Sequence, residues 1–366
     1  MRSTMRSLAP RLFAASMAAL TLTTGAAVSA RAATAGTNPG CGWHTLTLLN
    51  GWKSEQSTWH SGNPAYCITG DGIVHLAGSL AQAHIGRTEF AVLPKSARPA
   101  STLYFTTYTN AGAVGAVRVS TNGQLHATGG DAPKFTSLAG LSFPTAATVK
   151  TGHRIAPLIN SWHSGQATFG TGNPSYVIRQ GIVHLAGSVL YGKTTPPASG
   201  SSQWIFAPLP KAAKPTDCFG EDVYTYGGGT SPVVIDPANG HIYAADPYFT
   251  SLAGISYPAA PVTWHKLPLL SGGTPLPGCK APSFHLSHGV VYFTGGMQLS
   301  GDGTCAVLPP AVRPTHSLYF DVEGDGSADG QYTIVSIKPD GTMYAWGPSS
   351  NNYFLSVDGL SYPLGS

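Results

Sequence analysis

NPAYCITGDGIVHLAG, residues 63–78, returns as NPSYVIRQGIVHLAG at 173–187 and, in worn form, as APSFHLSHGVVYFTG at 281–295. The copies begin about 110 residues apart, which reads as three versions of one unit in a row. Within the stretch, Tyr66-Cys67-Ile68 and Ile73-Val74-His75-Leu76-Ala77 alternate with period 2 and are rich in β-branched residues. Gly70 and Gly72 stand between the two runs, where a tight connection needs positive φ. The spacing predicts a hairpin whose second strand turns Val74 and Leu76 to one face and Ile73, His75 and Ala77 to the other.

The register holds outward from that motif. LPKSARP at 93–99 matches LPKAAKP at 209–215 and LPPAVRP at 308–314, corner segments in which proline cannot donate to a ladder. Asn122-Gly123, Asn239-Gly240 and Asp340-Gly341 follow, the residues preferred in a type I′ hairpin turn. Each unit closes on one phrase: SLAGLSFP at 137–144, SLAGISYP at 251–258 and SVDGLSYP at 356–363. The expected fold class is all-β, as three tandem antiparallel β-sandwich repeats of about 105 residues over 43–147, 153–260 and 264–366. The 45 Gly and 29 Pro supply turns and deny long helices, and no apolar stripe of period 3.6 and useful length follows residue 32.

Residues 1–32 read as an export signal. Arg2, Arg6 and Arg11 precede the small apolar run Leu12 to Val28, and Ala30-Arg31-Ala32 offers a cleavage site. A flexible lead-in follows over 33–42. Localisation is therefore expected to be secreted, without membrane insertion. Four of the 20 Lys+Arg lie in the signal, which leaves 16 against 16 Asp+Glu after a cut at Ala32. A neutral mature chain gives a nucleic-acid partner no electrostatic support. Charge is unevenly placed: 33–150 carries seven basic and four acidic residues, 151–260 five and five, and 261–366 four and seven. That gradient favours contact between the first and third units. The short linkers admit either a pseudo-threefold monomer or a looser string of domains.

The order Leu48 to Trp52, a Tyr-bearing strand ending GIVHLAG, the LP corner, the Asn-Gly hairpin and the closing phrase resembles the head domains of phage tail fibres. The resemblance covers each unit nearly end to end and implies receptor-binding β-sandwich or jelly-roll modules, which usually work as homotrimers. Related repeats resemble parts of secreted actinobacterial proteins. The third unit departs most: Gly273 stands where Trp52 and Trp162 stand.

Several residues are candidates for chemistry. In an oxidising compartment the five cysteines predict disulfides, Cys279 with Cys305 as first choice and Cys41 with Cys67 as second, which leaves Cys218 over. Asp321, Glu323, Asp325 and Asp329 occupy positions 1, 3, 5 and 9 of a calcium loop, with Gly326 at the turn; Tyr332 replaces the EF-hand glutamate. Calcium is the one cofactor the chain suggests, and a solvated acidic tip is the alternative. Trp52, Trp59 and Trp162 are candidates for stacking on sugar faces, although the matched Trp52 and Trp162 also read as core closers. His75, His184 and Tyr292 share one strand position, expected to hold a partly exposed flat ring. Glu221 and Asp222 are adjacent, so a strand puts them on opposite faces and defeats a carboxylate dyad. The reading is a secreted, non-enzymatic protein that binds a cell-surface or extracellular ligand, glycan above all. A structural or assembly protein of matrix or cell wall is the alternative, followed by a secreted hydrolase of polysaccharide or peptide.

Overall fold

A computed structural model describes residues 41–82, 86–244, 246–259, 261–270, 272–324, 333–347 and 352–366. Residues 1–32, read from sequence as an export signal, and most of the lead-in segment lie outside them. The fold is all-β: antiparallel sheets with a few single helical turns such as Gln56–Trp59 and Ala146–Val149. Among the described residues no helix is long and apolar enough to cross a membrane.

The opening motif forms the expected hairpin. Ala65–Ile68 pairs with Ile73–Ala77 in the register Cys67↔His75 and Ile68↔Val74. The closing phrase returns beside it, since Ser142–Pro144 pairs with the same strand and sets Phe143 opposite Val74. With His44–Thr45 on the far side this makes a four-stranded sheet. A three-stranded sheet follows, with Ser79–Gln82 between Trp52–Ser54 and Thr136–Ser137. The third sheet orders Glu89–Val92, Gln124–Thr128, Val114–Val119 and Leu103–Tyr108. The same three sheets, in the same strand order, occur over 153–258 and again over 265–363.

Alternation decides what each sheet buries. Val74, Leu76 and Phe143 turn inward against Phe90, Val117 and Leu125, and the other two cores draw on the matching strands, with Val183, Leu185 and Tyr257 in one and Val291, Phe293 and Tyr362 in the other. Each such side chain contributes about 1.5–3 kcal/mol on burial. Gly78, Gly187 and Gly295 end the second hairpin strand at positive φ, and a Cβ there would strike the backbone of Asn63, Asn173 and Lys280 to Ala281. That close approach explains a glycine at this point of every copy.

The Asn-Gly hairpins differ from expectation. A type I′ turn needs positive φ at both central residues, whereas only Gly123, Gly240 and Gly341 have it. The preceding Asn122, Asn239 and Asp340 instead accept, through Oδ1, the backbone N–H two residues on, at 3.1, 2.7 and 2.8 Å. The side chain thus braces the loop and the glycine alone enters the left-handed region.

The units do not hang as a loose string. The edge strands Leu103–Tyr108, Phe219–Tyr224 and Leu318–Val322 each touch the other two, so the three units close around a common pseudo-threefold axis. Thr102 N donates to Gly170 O at 3.0 Å, and the matching Ser317 N donates to His60 O at 2.8 Å.

Candidate functional site

The three edge strands align as Leu103-Tyr104-Phe105-Thr106-Thr107-Tyr108, Phe219-Gly220-Glu221-Asp222-Val223-Tyr224 and Leu318-Tyr319-Phe320-Asp321-Val322-Glu323. Where the first unit meets the third, Tyr319 enters an aromatic box. It stacks on Tyr108 (centroids 5.9 Å) and meets the edges of Phe135 and Trp59 at 5.6 Å each. Where the second unit meets the first, Tyr104 repeats this against Tyr224 (5.2 Å) and Phe249 (5.6 Å). A serine of the closing phrase locks each seam: Ser137 Oγ donates to Tyr319 O and Ser251 Oγ to Tyr104 O, both at 2.7 Å. The adjoining glycine then lies over a phenylalanine, Gly140 over Phe320 and Gly254 over Phe105.

The third seam keeps the backbone and changes the chemistry. Gly220 stands where the tyrosines insert, and the Glu323 carboxylate fills the space above it. Glu221 replaces the phenylalanine and lies under Gly359. Asp358 replaces Ala139 and Ala253. It accepts from Gly220 N across the seam at 3.3 Å and from Thr294 Oγ1 and Gly295 N at 2.8 and 2.9 Å. Ser356 turns back onto the same carboxylate, at 3.0 Å, instead of crossing. On the axis Thr106 Oγ1 donates to Asp321 Oδ2 at 3.0 Å, beside Asp222. The Cys218–Cys279 disulfide joins the two units here, at positions held by Thr102 and Ser317 and by Ser61 and Thr171 elsewhere.

Burial and mutual repulsion push these carboxyls up. Glu221 is raised well above the usual range by burial, then by Asp358, Asp222 and Glu323. Although Glu221 as a residue keeps partial exposure, its Oε2 is sealed and has no hydrogen-bond partner. Burial, with Asp222 and Asp358, raises Glu323 to about 8. Asp321 rises through burial and Asp222, against the Thr106 hydrogen bond, and Asp358 through burial, against its hydrogen bonds. Among the described residues no basic side chain forms an ion pair with Glu221, Asp321, Glu323 or Asp358.

The residues read from sequence fall in several places. Trp52 and Trp162 are buried, with Nε1 donating to Arg87 O and Gln203 O, so neither ring is free to stack on a sugar. Trp59 packs in the aromatic box, on Phe135 at 4.6 Å. Of the calcium run, Asp321 lies in a strand opposite Ile334 and, like Glu323, turns into the seam; Asp325 and Asp329 lie outside the described residues. Cys41 is bonded to Cys67. The expected Cys279–Cys305 bond does not form: Cys279 is taken by Cys218, while Cys305 is a buried free thiol raised to about 12 by burial. His75, His184 and Tyr292 are 3, 3 and 5% exposed, not partly exposed, because all three units cover that face.

Sequence reasoning missed the most exposed aromatic pair among the described residues. Tyr226 and Tyr248 are 60 and 58% exposed, with ring centroids 6.1 Å apart. Gly227 and Gly228, both at positive φ, shape the turn beneath Tyr226. Asp246 Oδ1 accepts from Tyr248 N and Phe249 N at 2.8 and 2.9 Å and so fixes the second turn. The first unit has Asn110 and Lys134 at these positions, and that departure was the available signal. No protein family matches the chain, and neither a curated protein nor a solved structure does.

Proposed function

We propose that this is an exported, non-enzymatic binding protein that recognises a glycan, with Tyr226 and Tyr248 as its stacking platform. The observation that carries the reading is the pair itself. Two large rings stand in solvent on braced turns, where the first unit has polar residues. Tyrosine joins an apolar face to a hydroxyl at low entropic cost, which suits a sugar ring edged with polar groups. Two disulfides agree with export. The closed set of three units is the one-chain counterpart of the homotrimer that tail-fibre heads build, and it supports action as a monomer.

Screening the mature protein on an array of cell-wall and exopolysaccharide fragments tests this. Saturable binding that weakens at least about tenfold in Tyr226→Ala/Tyr248→Ala is expected, equivalent to about 1.4 kcal/mol. Binding unchanged in that variant overturns the platform. Self-association without any glycan signal replaces the reading with an assembly protein. Turnover lost on one carboxylate-to-amide change replaces it with a hydrolase.

A further inference from the structure

The hairpin turns of the three opening motifs meet at one end of the axis and leave a recess of ≈ 190 Å³ between them. In the second and third units the turn is two residues, Gln180-Gly181 and His288-Gly289, all at positive φ, and these are true type I′ turns. The first copy of the motif is one residue longer, and its turn places Asp71 in the recess wall. Thr69 Oγ1 donates to Asp71 Oδ1 and holds the carboxylate in place. The floor is Ile182, Val290 and the ring of Tyr292, which pack on one another.

Below the floor the two buried imidazoles do not compete as positive charges. His75 is lowered to about 3 by burial and then by its neighbour His184, and His184 to about 4 by burial first. Both imidazoles are neutral at physiological pH. The Arg179 guanidinium, which also acts on His184, is hydrogen-bonded to Thr151 Oγ1. Among the described residues Asp71 is the only acidic side chain lining the recess, and its charge is felt at His75, His184 and Tyr292.

We propose that this axial recess binds a compact organic cation, a primary or methylated ammonium group, with Asp71 as counter-ion and Tyr292 as the aromatic surface beneath it. A carboxylate, a phenol ring and an aliphatic floor in a small recess are the complement of an ammonium carrying a short apolar body. A bare metal ion is the poorer fit: Asp71 is the one carboxylate at the recess, and among the described residues no group of three His, Cys, Asp or Glu is arranged to hold a metal ion. The site is independent of Tyr226 and Tyr248, so the two proposals fail separately.

The test uses the full mature chain with methylammonium and tetramethylammonium chloride as probes, read by calorimetry against sodium chloride of equal ionic strength. Saturable binding is expected, weakened at least about tenfold by Asp71→Asn, since the charge-assisted contact is lost. Tyr292→Phe keeps the ring and should retain binding, whereas Tyr292→Leu should lose it. Absence of saturable binding by both probes overturns the proposal. So does binding that survives both Asp71→Asn and Tyr292→Leu, which would place the cation elsewhere, the acidic seam included.

Discussion

The aromatic seam between the first and third units and the acidic seam between the third and second occupy equivalent places and are held by different physics. In one, Tyr319 sits among Trp59, Tyr108 and Phe135, with a serine locking the backbone behind it. In the other, Gly220 opens the same space to Glu323, Glu221 lies under a glycine, and a disulfide ties the edges. Apolar rings stabilise by burial at any pH. Buried carboxyls stabilise only while they hold their protons. Three copies of one backbone have thus produced two permanent contacts and one that depends on conditions.

Breaking the aromatic seam should have the largest effect. Tyr319→Ala removes a ring packed on three others and should cost about 3–5 kcal/mol in urea unfolding. A loss below about 1 kcal/mol would mean that the box carries little of the closure.

The pH dependence comes next, and two sets of groups shape it. A carboxyl whose folded pKa lies above its unfolded value contributes stability that is complete in acid and lost as pH rises through the folded value. For Glu323 that value is about 8. Between about pH 6.5 and pH 8.5 the protein should lose about 2 kcal/mol, with Glu221 acting in the same direction. His75 and His184 work the other way. Their folded values of about 3 and about 4 lie below the unfolded one, so their contribution is lost as pH falls below about 6.5. The two sets oppose each other below about pH 6.5, so stability should be greatest on the acid side of neutrality and fall above it, and Glu323→Gln should make that alkaline fall shallower. A wild-type alkaline limb that is already flat would contradict the seam's chemistry.

The smallest effect is a gain. Glu221→Phe restores the residue found at 105 and 320 and should stabilise by about 1 kcal/mol at pH 8, because it exchanges a buried carboxyl with an unpartnered oxygen for apolar packing. Destabilisation of the same size would show that the acidic seam has repacked beyond its two relatives.

Much of this fold was legible in the chain. Period-2 alternation located the opening hairpin and its two faces, and the returning phrases located the units. The turn type was missed because the expectation treated Asn122 as a backbone residue, whereas its side chain accepts a hydrogen bond and keeps φ negative. Cys279 was assigned within its own unit; its partner lies in the preceding one, across a contact that strand periodicity does not encode. The seam was visible only as departures between copies, Glu221 against Phe105 and Phe320, and Asp358 against Ala139 and Ala253. Aligning the copies marks such positions, but what they touch depends on closure. Trp59 likewise shows its role only once Tyr319 of the third unit is beside it.

Closure itself has a direct test. Cys279 and Cys218, whose Cα atoms are 5.7 Å apart, stand at the positions of Ser61 and Ser317 in the seam between the first and third units. There, Ser317 N already donates to His60 O, and the His316 ring lies against Gly62. The double variant Ser61→Cys/Ser317→Cys, oxidised and mapped by peptide mass spectrometry, should form a 61–317 bond and keep 41–67 and 218–279. If both new thiols stay reduced while the protein is folded, the first and third units are not joined as described, and the pseudo-threefold account fails.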